Sequence, residues 1–200
     1  VVVSDGLVVR VLEAVAGLDS PAPVVLIDGP SGAGKSTLAD ELVRRWPITG
    51  REVGEGREAV PQLVRLDSLY PGWGGLAAGS RQVAHELLAS LHATGTGRWR
   101  TWNWAAGHPG EWHRVGADHP LIVEGCGALS RASAPHADLR VWLTADDGVR
   151  KRRALARDRG AFDAHWDMWD EQFAEFVRTQ RPLALADLVL DGTSTPSPAR

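Results

Sequence analysis

Apolar residues fall along this chain in two alternating rhythms. Compact apolar runs stand at 24–28, 62–67, 121–125, 139–144 and 186–192. Runs this short and continuous predict strands buried on both faces of a parallel sheet. Between them the apolar positions return every three or four residues, the spacing of one helix face. Leu7, Val8, Val11, Leu12, Val15 and Leu18 predict a covering helix over 5–19, broken by Pro21 and Pro23. Leu38, Leu42, Val43 and Trp46 predict a second over 36–46, and positions 83, 84, 87, 88 and 91 a third from a Ser80 cap through His92. A further helix starts at Asp146. The last spans 163–179, with Asp163 as its cap and Trp166, Trp169, Phe173, Phe176 and Val177 as a core-packing stripe. Strands alternating with helices in this way give an α/β fold, a five-stranded parallel sheet with helices on both faces.

The first strand runs into Gly29-Pro30-Ser31-Gly32-Ala33-Gly34-Lys35-Ser36-Thr37, which meets the pattern G-x-x-x-x-G-K-[ST] at every fixed position. Strand, glycine loop and helix start together make an anion site, because the unpaired amides point at the anion and the helix dipole adds positive potential. The candidate cradle for the phosphates of ATP is Gly29, Ser31, Gly32, Ala33, Gly34, Lys35, Ser36 and Thr37. In this pattern the lysine, Lys35, bridges β- and γ-phosphates, and the Ser36 hydroxyl ligates Mg²⁺. Lysine usage sharpens the reading. Lys35 and Lys151 are the only lysines, so a chain that otherwise relies on arginine keeps a compact point charge where phosphate is expected.

Composition narrows the setting. Two hundred residues at 44% hydrophobic content suit one well-buried domain, taken as 1–192, with a tail at 193–200 of disordered composition. The net charge of -3 indicates no general attraction to nucleic acid or to an anionic membrane. A single cysteine, Cys126, excludes an intrachain disulfide. With no run of membrane-spanning length and no signal-peptide pattern at the start, the expectation is a cytoplasmic protein.

Several stretches add chemistry. Residues 47–61 read as a solvated loop. The second strand delivers Asp67 at its carboxyl end, where open α/β sheets place their ligands, and a glycine-rich loop with Tyr70 and Trp73 follows. The segment 98–116 crowds Trp99, Trp102, Trp104 and Trp112 among arginines, Asn103, His108 and His113. Alternation over 98–104 suggests a strand or hairpin arm, followed by a Gly/Pro loop. Any one of these tryptophans could fill a satellite core; as a group they read as a pocket for a planar ligand. The two histidines lack a metal-ligand spacing. Glu124 closes the third strand where a carboxylate would hold Mg²⁺ directly or through water. After the fourth strand comes an arginine run over 150–159, in which Arg153 and Arg157 share one helix face and could clamp transferring phosphates.

These residues resemble the uridine–cytidine kinase branch of phosphate-loop kinases, which also holds phosphoribulokinase and the bacterial pantothenate kinase. Asp67-Ser68-Leu69-Tyr70 is similar to that branch's D-S-F-Y motif, and Val123-Glu124-Gly125 to its strand-end V-E-G. Trp102-Asn103-Trp104, with His108 downstream, is similar in placement to the Y-D-F…H stretch that lines its nucleoside pocket. Residues 150–158 resemble its arginine-bearing lid (146–160 here), and 186–190 its closing strand. The resemblance implies a P-loop NTPase fold with strand order 2-3-1-4-5, counted along this chain. It also implies Asp67 as base and metal-shell ligand, and it allows a homodimer.

The expectation is therefore an ATP-dependent kinase that phosphorylates an alcohol on a small molecule, most simply a nucleoside. Lys35 and the loop would hold the β/γ-phosphates. Ser36, Asp67 and Glu124 would serve Mg²⁺. Asp67 would accept the hydroxyl proton, and Arg153 with Arg157 would close over the transferring group. Tyr70, Trp73, Trp102, Trp104 and His108 are the substrate candidates. A nucleoside monophosphate kinase, with Arg65, Arg81, Arg98 or Arg100 on the acceptor phosphate, is the rival enzyme. A noncatalytic nucleotide-binding module is the rival of another kind.

Overall fold

A computed structural model of the chain describes residues 4–46, 60–157 and 160–193. Positions 47–59 of the expected loop, 158–159 of the expected lid and 194–200 of the expected tail lie outside the described residues.

The apolar run Val24–Asp28 forms β1 at the centre of the sheet. On one side it pairs in parallel with β5 (Leu121–Glu124), Ile27 opposite Glu124, and on the other with β6 (Leu139–Thr144), Asp28 opposite Trp142. β2 (Gln62–Arg65) lies outside β5 with Arg65 opposite Glu124, and β7 (Leu188–Asp191) lies outside β6. The order is β2-β5-β1-β6-β7. Counting only the strands of this sheet, that is the expected 2-3-1-4-5. The register brings the carboxyl ends of β1, β2 and β5 level with one another, so whatever follows them converges.

Both faces are covered, as an all-parallel sheet requires. On one face α1 (Asp5–Ala16) and α2 (Lys35–Arg44) close a core of Val8, Val11, Val15, Leu38 and Leu42 over Val25, Ile27 and Val141. The first helix stops three residues short of the expected 19, where Gly17 turns the chain toward Pro21. On the other face lies a continuous helical stretch over 76–94, made of α3 (Leu76–Gln82), a π-helical segment (Val83–Ala89) and α4 (Ser90–Thr94). It starts earlier than expected, because Gly74 and Gly75 already make the turn. Ser80 is buried inside it and does not cap it. The same face takes α6 (Trp166–Gln180), preceded by a short 3₁₀ turn at Asp163–His165. Asp163 makes no side-chain cap to this helix, so the predicted cap is corrected to an ordinary turn position.

The tryptophan-rich segment is a complete hairpin, β3 (Thr96–Asn103) with β4 (His108–Gly116), separate from the main sheet. The second arm was legible only as a Gly/Pro loop. Pro109 and Gly110 are accommodated because the register shifts between Arg100 and Trp102, the kind of bulge that tolerates a residue lacking an N–H. The hairpin leans on the π segment: Gly97 sits so close to the carbonyl of Leu87 that a Cβ would come within 2.4 Å of it. After β6, α5 (Asp147–Arg157) carries the arginine run. Arg150 is buried there, held by Asp147 at 2.7 Å and Asp170 at 2.9 Å.

Candidate functional site

The glycine loop leaves β1 and enters α2 through Gly34, which is left-handed at φ 105°. Gly32 is equally constrained. It has φ +80°, and a Cβ there would stand 2.0 Å from the carbonyl oxygen of Arg150, so the loop is seated directly against the first turn of α5. Lys35 is buried and folds back over the loop, donating from Nζ to the carbonyls of Gly29 at 2.8 Å and Pro30 at 3.0 Å. Burial alone would depress this ammonium, but Cys126, Glu124, Asp28 and Asp67 around it together outweigh burial and hold it charged. Cys126 stands 3.5 Å from the same Nζ; burial pushes its thiol up, so it is a neutral neighbour.

A small cavity of about 80 Å³ opens beside the loop. Ser31, Gly32, Gly34, Lys35, Ser36 and Thr37 form one wall; Asp67, Glu124, Cys126, Arg153, Ala154 and Arg157 form the other. Glu124 is almost fully buried, and burial raises its pKa against the pull of Lys35, the Ser36 hydroxyl and Arg65. Arg65 approaches it at 3.5 Å and also pairs with Asp40. Asp67 lies on the 3₁₀ turn Leu66–Ser68 just past β2, with its side chain 58% exposed. A hydroxyl and two carboxylates facing one cavity are the oxygen donors that suit Mg²⁺, which takes one or two carboxylates and completes its shell with water and phosphate oxygens. Among the described residues, no group of three His, Cys, Asp or Glu side chains is placed to hold a metal by itself.

A second, larger cavity of about 350 Å³ adjoins the first. Its walls are Tyr70, Trp73, Trp104, Phe162 and Trp169, with Ala161, and it shares Ser31, Asp67 and Arg157 with the phosphate cavity. Trp73 is its centrepiece. That ring is stacked on His165 at 4.4 Å and on Phe162 at 5.3 Å, and tilted against Trp104 at 5.0 Å. Trp104 reaches in from the tip of the hairpin and donates its indole N–H to the carbonyl of Asp67 at 2.9 Å. Tyr70 is wholly buried; its hydroxyl donates to the carbonyl of Cys126 at 2.8 Å, and its ring meets Trp169 edge-on at 4.7 Å. The hydroxyl of Tyr70 is thus already committed, which leaves its ring as the part that faces the cavity.

The remaining candidates are placed as follows. Arg157 stands 3.9 Å from Asp67, between the two cavities. Arg153 lines the phosphate cavity but donates to the carbonyls of Gly192 at 2.7 Å and Thr193 at 3.0 Å, which ties α5 to the end of β7. Trp102 and His108 are not among the residues lining either cavity. His108 is exposed, with Nδ1 2.9 Å from the carbonyl of Pro109. Of the other crowded tryptophans, Trp99 stacks on His113 and packs against the core, while Trp112 lies under Arg98 and Arg100 on the outer face of the hairpin.

Sequence reasoning missed Phe162 and took Trp169 as core only; it is buried core and cavity wall at once. It also passed over Asp28, a carboxylate that ends an otherwise apolar strand and is wholly buried. That lone acid at the close of β1 was the available signal.

Comparisons with known proteins bear on the family and the fold. The model of a family described as AAA domain matches residues 25–165. A bifunctional pantoate ligase/cytidylate kinase of Synechococcus sp. (strain CC9605) is 29% identical over 210 aligned residues, covering 86% of this chain and 43% of the relative. The protein of the same name from Parasynechococcus marenigrum (strain WH8102) is 28% identical, covering 86% and 41%. The chain thus spans less than half the length of these relatives. Among solved structures, one described as a possible uridine kinase from Bacillus stearothermophilus superposes with a TM-score of 0.60 at 18% identity, covering 92% of this chain and 97% of that one. At that identity the likeness is one of fold.

Proposed function

We propose that this chain, which belongs to the AAA domain family, is an ATP-dependent kinase that transfers the γ-phosphoryl group to a hydroxyl of a small planar molecule of nucleoside type. The observation that carries the reading is the junction of the two cavities. One is walled by the phosphate loop, the other by five aromatic rings, and Ser31, Asp67 and Arg157 belong to both. A phosphate chain held on the loop would present its end where a hydroxyl from the aromatic cavity arrives.

The roles follow from position. Loop amides and Lys35 would bind the β- and γ-phosphates, and Ser36, with Glu124 and Asp67, would hold Mg²⁺, which supplies charge neutralisation. Asp67 sits at the junction with its carboxylate open to the incoming group and would accept the hydroxyl proton. Arg157 would neutralise charge on the group in transit. Trp73, Trp104 and Phe162 offer flat surfaces for a planar ring and, by filling the mouth, limit the access of water that would waste ATP.

A second reading, transfer to a nucleoside monophosphate, is favoured by the cytidylate kinase half of the relatives' name. It needs cations in the acceptor cavity, and among the described residues Arg157 is the one that lines it. Arg65 is engaged by Asp40 and Glu124, Arg98 by Glu86, and Arg100 by the carbonyl of Gly110, while Arg81 lines a separate groove. This placement supports an uncharged acceptor.

The test is coupled ADP release with Mg-ATP across nucleosides, nucleoside monophosphates, pantothenate and sugar alcohols. A responsive nucleoside, silent in Lys35→Ala, is the expected result. Response confined to monophosphates would select the second reading. Tight ATP binding with no responsive acceptor would favour a noncatalytic module.

A further inference from the structure

Asp28, the last residue of β1, is fully buried and lines neither cavity, yet its carboxylate is bonded to the residue that opens the phosphate loop. One carboxylate oxygen, Oδ1, accepts the N–H of Gly29 at 2.6 Å and that of Gly127 at 3.0 Å. The other, Oδ2, accepts the N–H of Leu129 at 2.8 Å. Gly29 opens the phosphate loop. Gly127 and Leu129 belong to the segment that follows β5, so the carboxylate staples two stretches separated by about a hundred positions of chain, roughly the ladder's continuation beyond the ends of both strands. The stapled segment then touches both sites. Cys126 presents its Sγ 3.3 Å from the carbonyl of Gly29 and 3.5 Å from Lys35 Nζ, while its own carbonyl receives the Tyr70 hydroxyl of the aromatic cavity.

The geometry points to Asp28 as a positioning residue that sets nucleotide affinity, by locking the phosphate loop to the segment after β5 in its ionised form. The proposal rests on the reading of the loop as a nucleotide site. A carboxylate accepts from all three amides with its full charge; a proton turns one of its acceptor positions into a donor and weakens the bonds that remain. Burial pushes this carboxyl up to about 6, against the three amides and the Lys35 ammonium, which lower it. The groups around it are Lys35 from the loop, Cys126 from the stapled segment and Tyr70 from beyond β2; β6 contributes the neutral Trp142 beside it. The lock therefore loosens in mildly acidic solution, where exposed carboxylates are still charged.

The experiment measures binding of a fluorescent ATP analogue, mant-ATP, with Mg²⁺, to the wild type and to Asp28→Asn at about pH 8 and about pH 5.5, on either side of the transition. Because ATP itself gains a proton in this range, the comparison is made between the two proteins at each pH. The expected result is affinity about tenfold weaker in the variant at the higher pH, the cost of one disturbed buried hydrogen bond, and a gap that narrows at the lower pH as the wild type weakens. Equal affinities at the higher pH would overturn the proposal. Should Asp28→Asn fail to fold, the amide resonances of Gly127 and Leu129 in the wild type serve instead. Their moving together with a midpoint near 6 supports the lock, and their standing still through that range overturns it. Nucleotide binding that depends on Asp28 without any turnover would sink the kinase reading alone.

Discussion

In the proposed reaction Asp67 is the residue on which the chemistry turns, and the fold gives it one task at a time. Its backbone carbonyl anchors Trp104 and its side chain is left open at the junction of the cavities, 3.9 Å from Arg157. Asp67→Asn keeps the shape and the backbone contact but removes the proton acceptor. Turnover should fall by about 10²–10⁴, the range a positioned base contributes, while mant-ATP binding measured without Mg²⁺ stays within about twofold. Parallel loss of binding and turnover would remove Asp67 from the role of base. This residue was legible because the carboxyl end of a strand is a privileged place in a parallel sheet and because a motif surrounds it. Phe162 was not, since nothing in its neighbours separates a residue that walls a cavity from one that fills a core. Trp102 and His108 show the converse: both sit within the paired strands while Trp104 lies in the turn beyond β3, so proximity in sequence to Trp104 did not bring them to the cavity.

At the scale of elements, the helical stretch over 76–94 decides the shape of the aromatic cavity through the side chain of Tyr70. Gly79 faces that ring so closely that a Cβ would come within 2.7 Å of Tyr70 Cδ1. Glycine in a helix interior normally costs about 1 kcal/mol relative to alanine. Here the replacement should go the other way. Tyr70 is fixed by its bond to Cys126 and by Trp169, so Gly79→Ala should destabilise by about 1–3 kcal/mol, the cost of overpacking a closed core, read as a lowered urea midpoint. A stabilised variant would show that Tyr70 yields freely. The strands of the sheet were each readable from their apolar runs, as was the general run of this helix. Its true start was not, because small residues at 77–80 carry no periodic signal and their smallness answers to Tyr70, a partner distant in the fold's logic though near in sequence.

For the molecule as a whole, the centre of the sheet carries a charge that the fold would be more stable without. The carboxyl of Asp28 rises from 3.8 to about 6 on folding because burial outweighs its hydrogen bonds. The native state therefore holds this proton more tightly than the unfolded chain does. The stability the group contributes is fully present below about 4 and is lost as pH rises through about 6, a difference of about 3 kcal/mol at neutral pH. Asp187 works in the opposite sense. Its bond to Arg140 lowers its pKa, so its smaller, partly exposed contribution is present above the ordinary carboxylate range and lost as pH falls through its depressed value. Between about pH 5 and 7 Asp28 acts in the same direction as Glu124, whose carboxyl burial also raises, and against the mostly exposed His136, whose pKa burial lowers; the wild type should therefore melt at a lower temperature at the upper end of that window, against the usual direction for acid stress. Asp28→Asn has no proton to lose there, and its melting temperature should change less across the same window. A wild-type curve that is itself flat, or a variant that keeps the slope, would show that Asp28 is ionised at no cost to the fold, and the tension between a stable centre and a firmly held phosphate loop would be absent from this protein.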